Sequence, residues 1–164
     1  MKIHILTIFV IIMFAKPLLG FEHTMYIVRH AKPDKEYYGL SEEGKKDAEN
    51  IAKLFAGKTI ERIYTSPHER TRKTAEIIAA GIGFKGTIEI AHELNQDLED
   101  DQKWVNYLQG MAYIDKGKNA ILVTHVPVIS AFKSHLKADH IFIDFGSVYQ
   151  VDTTIKSLII KQLK

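Results

Sequence analysis

The sequence predicts an α/β fold, a three-layer sandwich in which helices flank both faces of a mostly parallel central sheet. Short apolar runs alternate with longer segments whose apolar residues recur at helical spacing. Strand alternating with helix makes crossover units that return each strand parallel to the last. Gly, Pro, Ser and Asp sit at the junctions, where turns and caps need them. No repeat, low-complexity stretch or linker interrupts the 164 residues, a length that suits one domain of roughly 100–200 residues.

Residues 24–28 (TMYIV) read as the first strand. Ser41 caps the first helix, with Glu42 and Glu43 where the helix dipole favours negative charge. Ala48, Ile51, Ala52 and Phe55 give it an apolar face, and Gly57 ends it. Residues 60–64 are the second strand, and residues 68–80 a second helix stopped by Gly81 and Gly83. Residues 87–90 are a third strand. The acidic loop 97–101 leads into a helix whose Trp104, Val105, Leu108, Met111 and Ala112 make a core-facing stripe. Residues 120–124 (AILVT) are the most strand-like run, residues 128–136 are helical, and strands near 148–152 and 157–162 finish the chain.

The first twenty residues stand apart. Lys2 precedes an apolar run, residues 3–14, broken only by His4 and Thr7, and Lys16, Pro17 and Gly20 follow. That order is a secretory signal peptide's, and the run is shorter than the 18 or so apolar residues of a spanning helix. The expected division is a leader over 1–20 and a single domain over 21–164, which makes the mature protein periplasmic or secreted. An uncleaved anchor or a buried strand is the alternative reading of the leader. Translation starting at Met25 would instead give a cytoplasmic protein.

Composition narrows the function. The net charge is +2, from 22 basic and 20 acidic residues. Lys2 and Lys16 account for that excess, so no polyanion-binding surface is indicated and nucleic acid is not an expected partner. Membrane contact is expected only through an uncleaved leader, and the chain is read as a monomer. The absence of cysteine excludes a disulfide scaffold, a thiolate metal site and a cysteine nucleophile. No His-Glu-x-x-His or similar ligand spacing occurs, so neither a metal nor a cofactor is expected.

Ligands of parallel sheets bind beyond the carboxyl ends of the strands. Arg29 and His30 follow the first strand, Arg70 lies in the first helical turn after the second, and His125 directly follows residues 120–124. Two guanidiniums and two imidazoles on one rim suit a phosphoryl group. Guanidinium forks match phosphate oxygens in pairs and stay charged, and an imidazole nitrogen can attack phosphorus near neutral pH. Taken singly, His30 and His125 would be satisfied strand-end histidines; the grouping makes them candidates.

Four motifs in order then resemble one family. They are Val28-Arg29-His30-Ala31, Leu40-Ser41-Glu42-Glu43-Gly44, Ser66-Pro67-His68-Glu69-Arg70 followed by Thr74-Ala75, and Val123-Thr124-His125-Val126-Pro127. The first resembles the Arg-His-Gly signature of the histidine phosphatase superfamily, and the set is similar to that of its short SixA-type members. The stretch 145–152 is similar too. The resemblance implies a phosphoglycerate mutase-like fold and a phosphatase that hydrolyses a phosphomonoester or phosphohistidine. His30 would be the nucleophile, forming a phosphohistidine, and Arg29, Arg70 and His125 would hold the oxygens. The substrate would be a small phosphorylated molecule or a phosphoprotein. His30 would need a free nitrogen, while His125 would serve better as a cation, and the two arginines would depress the pKa of both.

One departure stands out. Larger members carry a general-acid Glu after the third strand, and here Gln96 occupies the nearest place, with Glu93 and Asp97 as possible substitutes. Without a strong acid, easily departing leaving groups are favoured. Arg72 and Lys73 read as solvated helix charges, Ser66 and Pro67 as turn formers, Ser41 as a cap and Thr124 as a strand-end residue. Tyr37 and Tyr38 are candidates for the substrate mouth. Three other classes compete: a non-catalytic phospho-ligand module, a scaffold, and a mutase, for which longer insertions would be expected.

Overall fold

The computed structural model describes residues 24–96, 101–114, 118–138, 142–154 and 157–164. The leader, Asp97, His4, His23 and His140 lie outside the described residues. In chain order the elements are β1 (Thr24–Arg29), α1 (Glu42–Leu54), β2 (Arg62–Thr65), α2 (Glu69–Gly81), β3 (Ile88–Ile90), a 3-10 turn (His92–Leu94), α3 (Asp101–Ile114), β4 (Ala120–Thr124), α4 (Val126–His135), β5 (Val148–Thr154) and β6 (Ser157–Gln162). Six described strands form one sheet in the order β3-β2-β4-β1-β5-β6. The β3-β2, β2-β4 and β4-β1 pairs are parallel, and β5 runs antiparallel to both β1 and β6. No described helix is long and apolar enough to cross a membrane.

The central strands are apolar on both faces because both faces are covered. Met25 and Ile27 of β1, with Ala120 and Leu122 of β4, pack on Trp104 and Leu108 of α3 and Val128, Ile129 and Phe132 of α4. Their alternates Tyr26, Val28, Ile121 and Val123 pack on Ile51 of α1, the adjoining Phe55, and Ala75 and Ile78 of α2. The period of two along each strand thus serves two cores, one per face. Leu122 is wholly buried, and truncating such a side chain to Ala costs about 2–5 kcal/mol. The three-layer sandwich predicted from the sequence is the observed one.

Some boundaries differ. Pairing of β2 begins at Arg62 opposite Ala120, because Glu61 and Arg62 instead donate backbone N–H groups to the Asn119 carbonyl before the ladder opens. The α4 helix starts directly after β4, with His125 as its N-cap and Pro127 in its first turn. There the missing N–H costs nothing. Gly81 remains helical, and the chain turns at Gly83, whose φ is +68°.

The β1 to α1 connection is fixed before the helix begins. Ser41 Oγ accepts from Gly44 N at 3.0 Å, and Ser41 donates to the Lys32 carbonyl from its backbone N at 3.1 Å and its hydroxyl at 3.2 Å. Gly44 is the point of closest approach, since a Cβ there would lie 2.0 Å from Lys32 O. Between these anchors the Asp34 carboxylate accepts from Tyr38 N and Gly39 N at 3.1 and 2.9 Å, a side-chain-closed turn. This turn sets Tyr37 at φ +62°.

Candidate active site

The parallel strands end on one rim. Arg29 pairs with Thr124, and Thr65 pairs with both Val123 and Ile90, so the segments after β1, β2 and β4 emerge side by side. They enclose a cavity of about 420 Å³ lined by Arg29, His30, Arg70 and His125, with Tyr37, Gln96, Val126, Pro127 and Phe145. A larger hollow of about 750 Å³ lies between the C-terminal ends of α1 and α2. It brings no imidazole or guanidinium together and so offers no comparable chemistry.

His30 is 6% exposed. Its backbone N donates to Thr124 O at 3.0 Å, and its carbonyl accepts from Gly146 N at 3.2 Å. The ring Nδ1 lies 2.9 Å from the Ala31 carbonyl, which can only accept, so Nδ1 carries the proton. Nε2 therefore holds a lone pair, and Arg70 Nε donates to it at 3.3 Å. Thr74 braces this corner by accepting from Ala31 N at 3.1 Å and donating to Arg70 O at 2.7 Å.

Arg70 spans the site. Besides contacting His30, its Nη1 donates to Tyr37 O at 3.1 Å and its Nη2 lies 3.4 Å from His125 Nδ1. It sits in the first turn of α2, where the helix dipole adds positive potential. Arg29 stacks on Phe145, with Cζ 3.8 Å from the ring centroid, a cation–π contact. Its Nε is buried without a hydrogen-bond partner among the described residues. A buried unpaired donor costs about 1–3 kcal/mol.

The His30 and His125 rings meet edge-on, 5.2 Å between centroids. Burial is the main force holding both below the ordinary imidazole range, His30 at about 4 and His125 at about 2. The nearby Arg70, Arg29 and His68 push the same way for both, while the bond to Ala31 partly offsets the shift of His30. Both rings are thus neutral at neutral pH. That suits a nucleophile at His30 and agrees with the depression expected for both rings, and it leaves His125 without the charge that would serve it better. Low dielectric and the two nearby guanidiniums make a charge there costly.

Three residues carry more than the sequence disclosed. Ser66, read as a turn former, is fully buried, with Oγ 2.8 Å from His125 Nε2. His68 packs edge-on against His125, 5.0 Å between centroids, and its Nε2 lies 2.8 Å from Asn95 Oδ1. Phe145 also tilts against the His30 ring at 5.6 Å. The first two are neighbours of Arg70 in sequence, which was the available signal. Thr124 is committed elsewhere, its hydroxyl donating to Leu94 O at 2.8 Å. Arg72 points outward to Glu69 at 3.5 Å, and Lys73 to Glu69 and Glu76 at 3.6 and 3.3 Å, solvated as expected. Tyr37 lines the cavity, whereas Tyr38 is 73% exposed. Glu93 is exposed and is not among the lining residues; Gln96 is. Among the described residues no group of three or more His, Asp or Glu could hold a metal ion.

Known proteins resemble the chain in part of its sequence and in its fold. The histidine phosphatase superfamily (branch 1) matches the sequence over residues 25–99. No curated protein matches the chain in sequence. Several chains of known structure share the fold. The protein histidine phosphatase SixA, complexed with tungstate, aligns with a TM-score of 0.67 and 20% identity, over 78% of this chain and 86% of that one. A phosphoserine phosphatase mutant from Entamoeba histolytica aligns with a TM-score of 0.69 and 11% identity, over 84% and 94%. A phosphoglycerate mutase from Bacillus anthracis aligns with a TM-score of 0.72 and 14% identity, over 87% and 92%. Residues 25–99 are thus similar to the histidine phosphatase superfamily, the fold is phosphoglycerate mutase-like, and the superfamily match together with the phosphatase neighbours supports a phosphoryl hydrolase.

Proposed function

We propose that the protein is a phosphatase that hydrolyses a phosphomonoester or phosphohistidine through a phosphohistidine on His30. The observation that carries this reading is the His30 ring itself, with Nδ1–H tied to Ala31 O and the Nε2 lone pair turned toward Arg70. Nε2 attacks phosphorus as the bond to the leaving oxygen or nitrogen breaks. Arg29, Arg70 and His125 hold the three remaining oxygens, whose charge redistributes in the transition state. Water then attacks the phosphohistidine, the P–N bond breaks, and phosphate leaves with His30 regenerated. Gln96 cannot supply a proton by ionising, so leaving groups that depart readily, imidazole or an aryl oxide, suit this cavity best.

The substrate is a small phosphorylated molecule or a phosphoprotein, and the chain works as a monomer with no cofactor. Residues 1–20 act as an export leader, so the enzyme is periplasmic or secreted, unless translation starts at Met25. Intact mass of the mature protein distinguishes these. Turnover of p-nitrophenyl phosphate, inhibited by vanadate and abolished in His30→Ala, is the expected result. Turnover that survives the substitution removes His30 as nucleophile. Phosphate binding without turnover points to the non-catalytic module, and transfer of phosphate within a phosphoglycerate to the mutase.

A further inference from the structure

Beyond the groups facing the cavity, a row of hydroxyls runs behind His125, and its direction is determined by its ends. Thr71 Oγ1 lies 2.7 Å from His68 O and 3.1 Å from Ser66 O. Both are carbonyls, which only accept, so the Thr71 proton is spent on them. Thr71 Oγ1 is then an acceptor for Ser66 Oγ, 2.7 Å away. With its proton given to Thr71, Ser66 Oγ accepts from His125 Nε2 at 2.8 Å and from His68 N at 3.4 Å. The opposite edge of the ring gives the same answer independently. Arg70 Nη2, which only donates, faces His125 Nδ1 at 3.4 Å, so Nδ1 holds a lone pair.

We propose that Ser66 and Thr71 are positioning residues that lock His125 as its Nε2–H tautomer, and that His125 takes up one proton on Nδ1 when a tetrahedral oxyanion dianion binds. The inference rests on the anion site under Proposed function. An oxyanion cannot bond to a nitrogen lone pair, so His125 contributes to oxygen binding only after Nδ1 is protonated. The Ser66 hydroxyl makes that possible, since an imidazolium needs an acceptor at Nε2 as well. The ionisable groups around His125 are His30 and Arg29 from the end of β1, and His68 and Arg70 from the start of α2. None is anionic, so the protein alone disfavours the imidazolium, and an arriving dianion reverses that balance.

The test is calorimetric titration of the protein with tungstate, itself a dianion at pH 7.5, in two buffers of different ionisation enthalpy. Binding with uptake of close to one proton is expected. Ser66→Ala should cut uptake well below one, because the ring can then move its proton to Nδ1, and should weaken binding by roughly 10- to 100-fold, the range for a hydrogen bond to a charged group. Ser66→Thr should restore both, and Thr71→Val should fall between. Circular dichroism checks that the variants fold, and the wild-type measurement decides even where they do not. Tungstate bound with no net proton overturns the inference and leaves the anion site standing. No binding removes the anion site and the inference together. Wild-type uptake and affinity in folded Ser66→Ala overturn the role of the hydroxyls.

Discussion

Arg70 Nε donates to His30 Nε2 across 3.3 Å, so a guanidinium holds the lone pair that would attack phosphorus. The same side chain reaches His125 and the Tyr37 carbonyl, making it the hub of the site. A lysine keeps the charge but loses the planar fork that engages several partners at once. Arg70→Ala should lower kcat/KM on p-nitrophenyl phosphate by roughly 100- to 1000-fold, the range for losing one preorganised oxyanion donor. Arg70→Lys should recover little of it. A lysine variant within about threefold of the wild type would show that charge alone suffices and that the fork geometry is irrelevant.

The two depressed imidazoles also tie stability to pH. The unfolded chain takes protons on both rings below about pH 6.5, whereas the folded chain waits until about 4 for His30 and about 2 for His125. The unfolded state thus binds more protons as pH falls, and stability falls with it, by up to about 1.4 kcal/mol per pH unit for each ring. Between pH 7 and pH 5 the urea midpoint should drop. The drop should be smaller in His125→Gln than in the wild type, a difference that cancels the common contribution of the carboxylates. An equal drop in both proteins would mean that His125 titrates normally in the fold.

The parts of this molecule that could be read from sequence are those in which local pattern and tertiary burial agree. The run 120–124 announces a central strand because both faces of β4 are covered, and Ser41 announces α1 because capping is local. Arg29, His30, Arg70 and His125 could be grouped because strand ends share a rim. The antiparallel course of β5 was not legible. After α4 the chain first returns to the rim at Phe145 and Gly146, beside His30, and only then enters β5, a route without periodicity. Ser66 was missed for a related reason. A serine before proline satisfies a turn locally, and nothing local reveals a partner 59 positions away.

Gly44 sits in a helix, where alanine is intrinsically better by about 1 kcal/mol, yet its substitution should destabilise. The added methyl would meet the Lys32 carbonyl at 2.0 Å. That carbonyl is backbone, held by two bonds from Ser41, so it cannot swing aside as a side chain would. The clash should outweigh the helix gain and leave Gly44→Ala less stable by about 1–3 kcal/mol in urea unfolding. Because Lys32 follows the Arg29–Ala31 segment, a matching loss of turnover is expected. A variant as stable as the wild type would show that α1 can shift away from the loop at little cost.

Gln96 lines the cavity, and on the proposed reading it stands nearest to the place of a proton donor for a poor leaving group. Wild-type protein should therefore turn over p-nitrophenyl phosphate far better than an alkyl phosphate such as glycerol phosphate. Gln96→Glu keeps the size of the side chain and adds an ionisable group. General acid catalysis contributes roughly 100- to 10,000-fold where geometry is right. A new carboxyl in an unoptimised position should recover a small part of that, on the order of tenfold, on the alkyl substrate alone. The aryl substrate, whose oxide departs unaided, should gain nothing and lose some affinity to the added negative charge. The ratio of the two kcat/KM values is therefore the quantity to measure. If it stays constant on substitution, position 96 does not approach the leaving group. If the wild type already prefers the alkyl phosphate, a proton donor other than Gln96 serves this cavity.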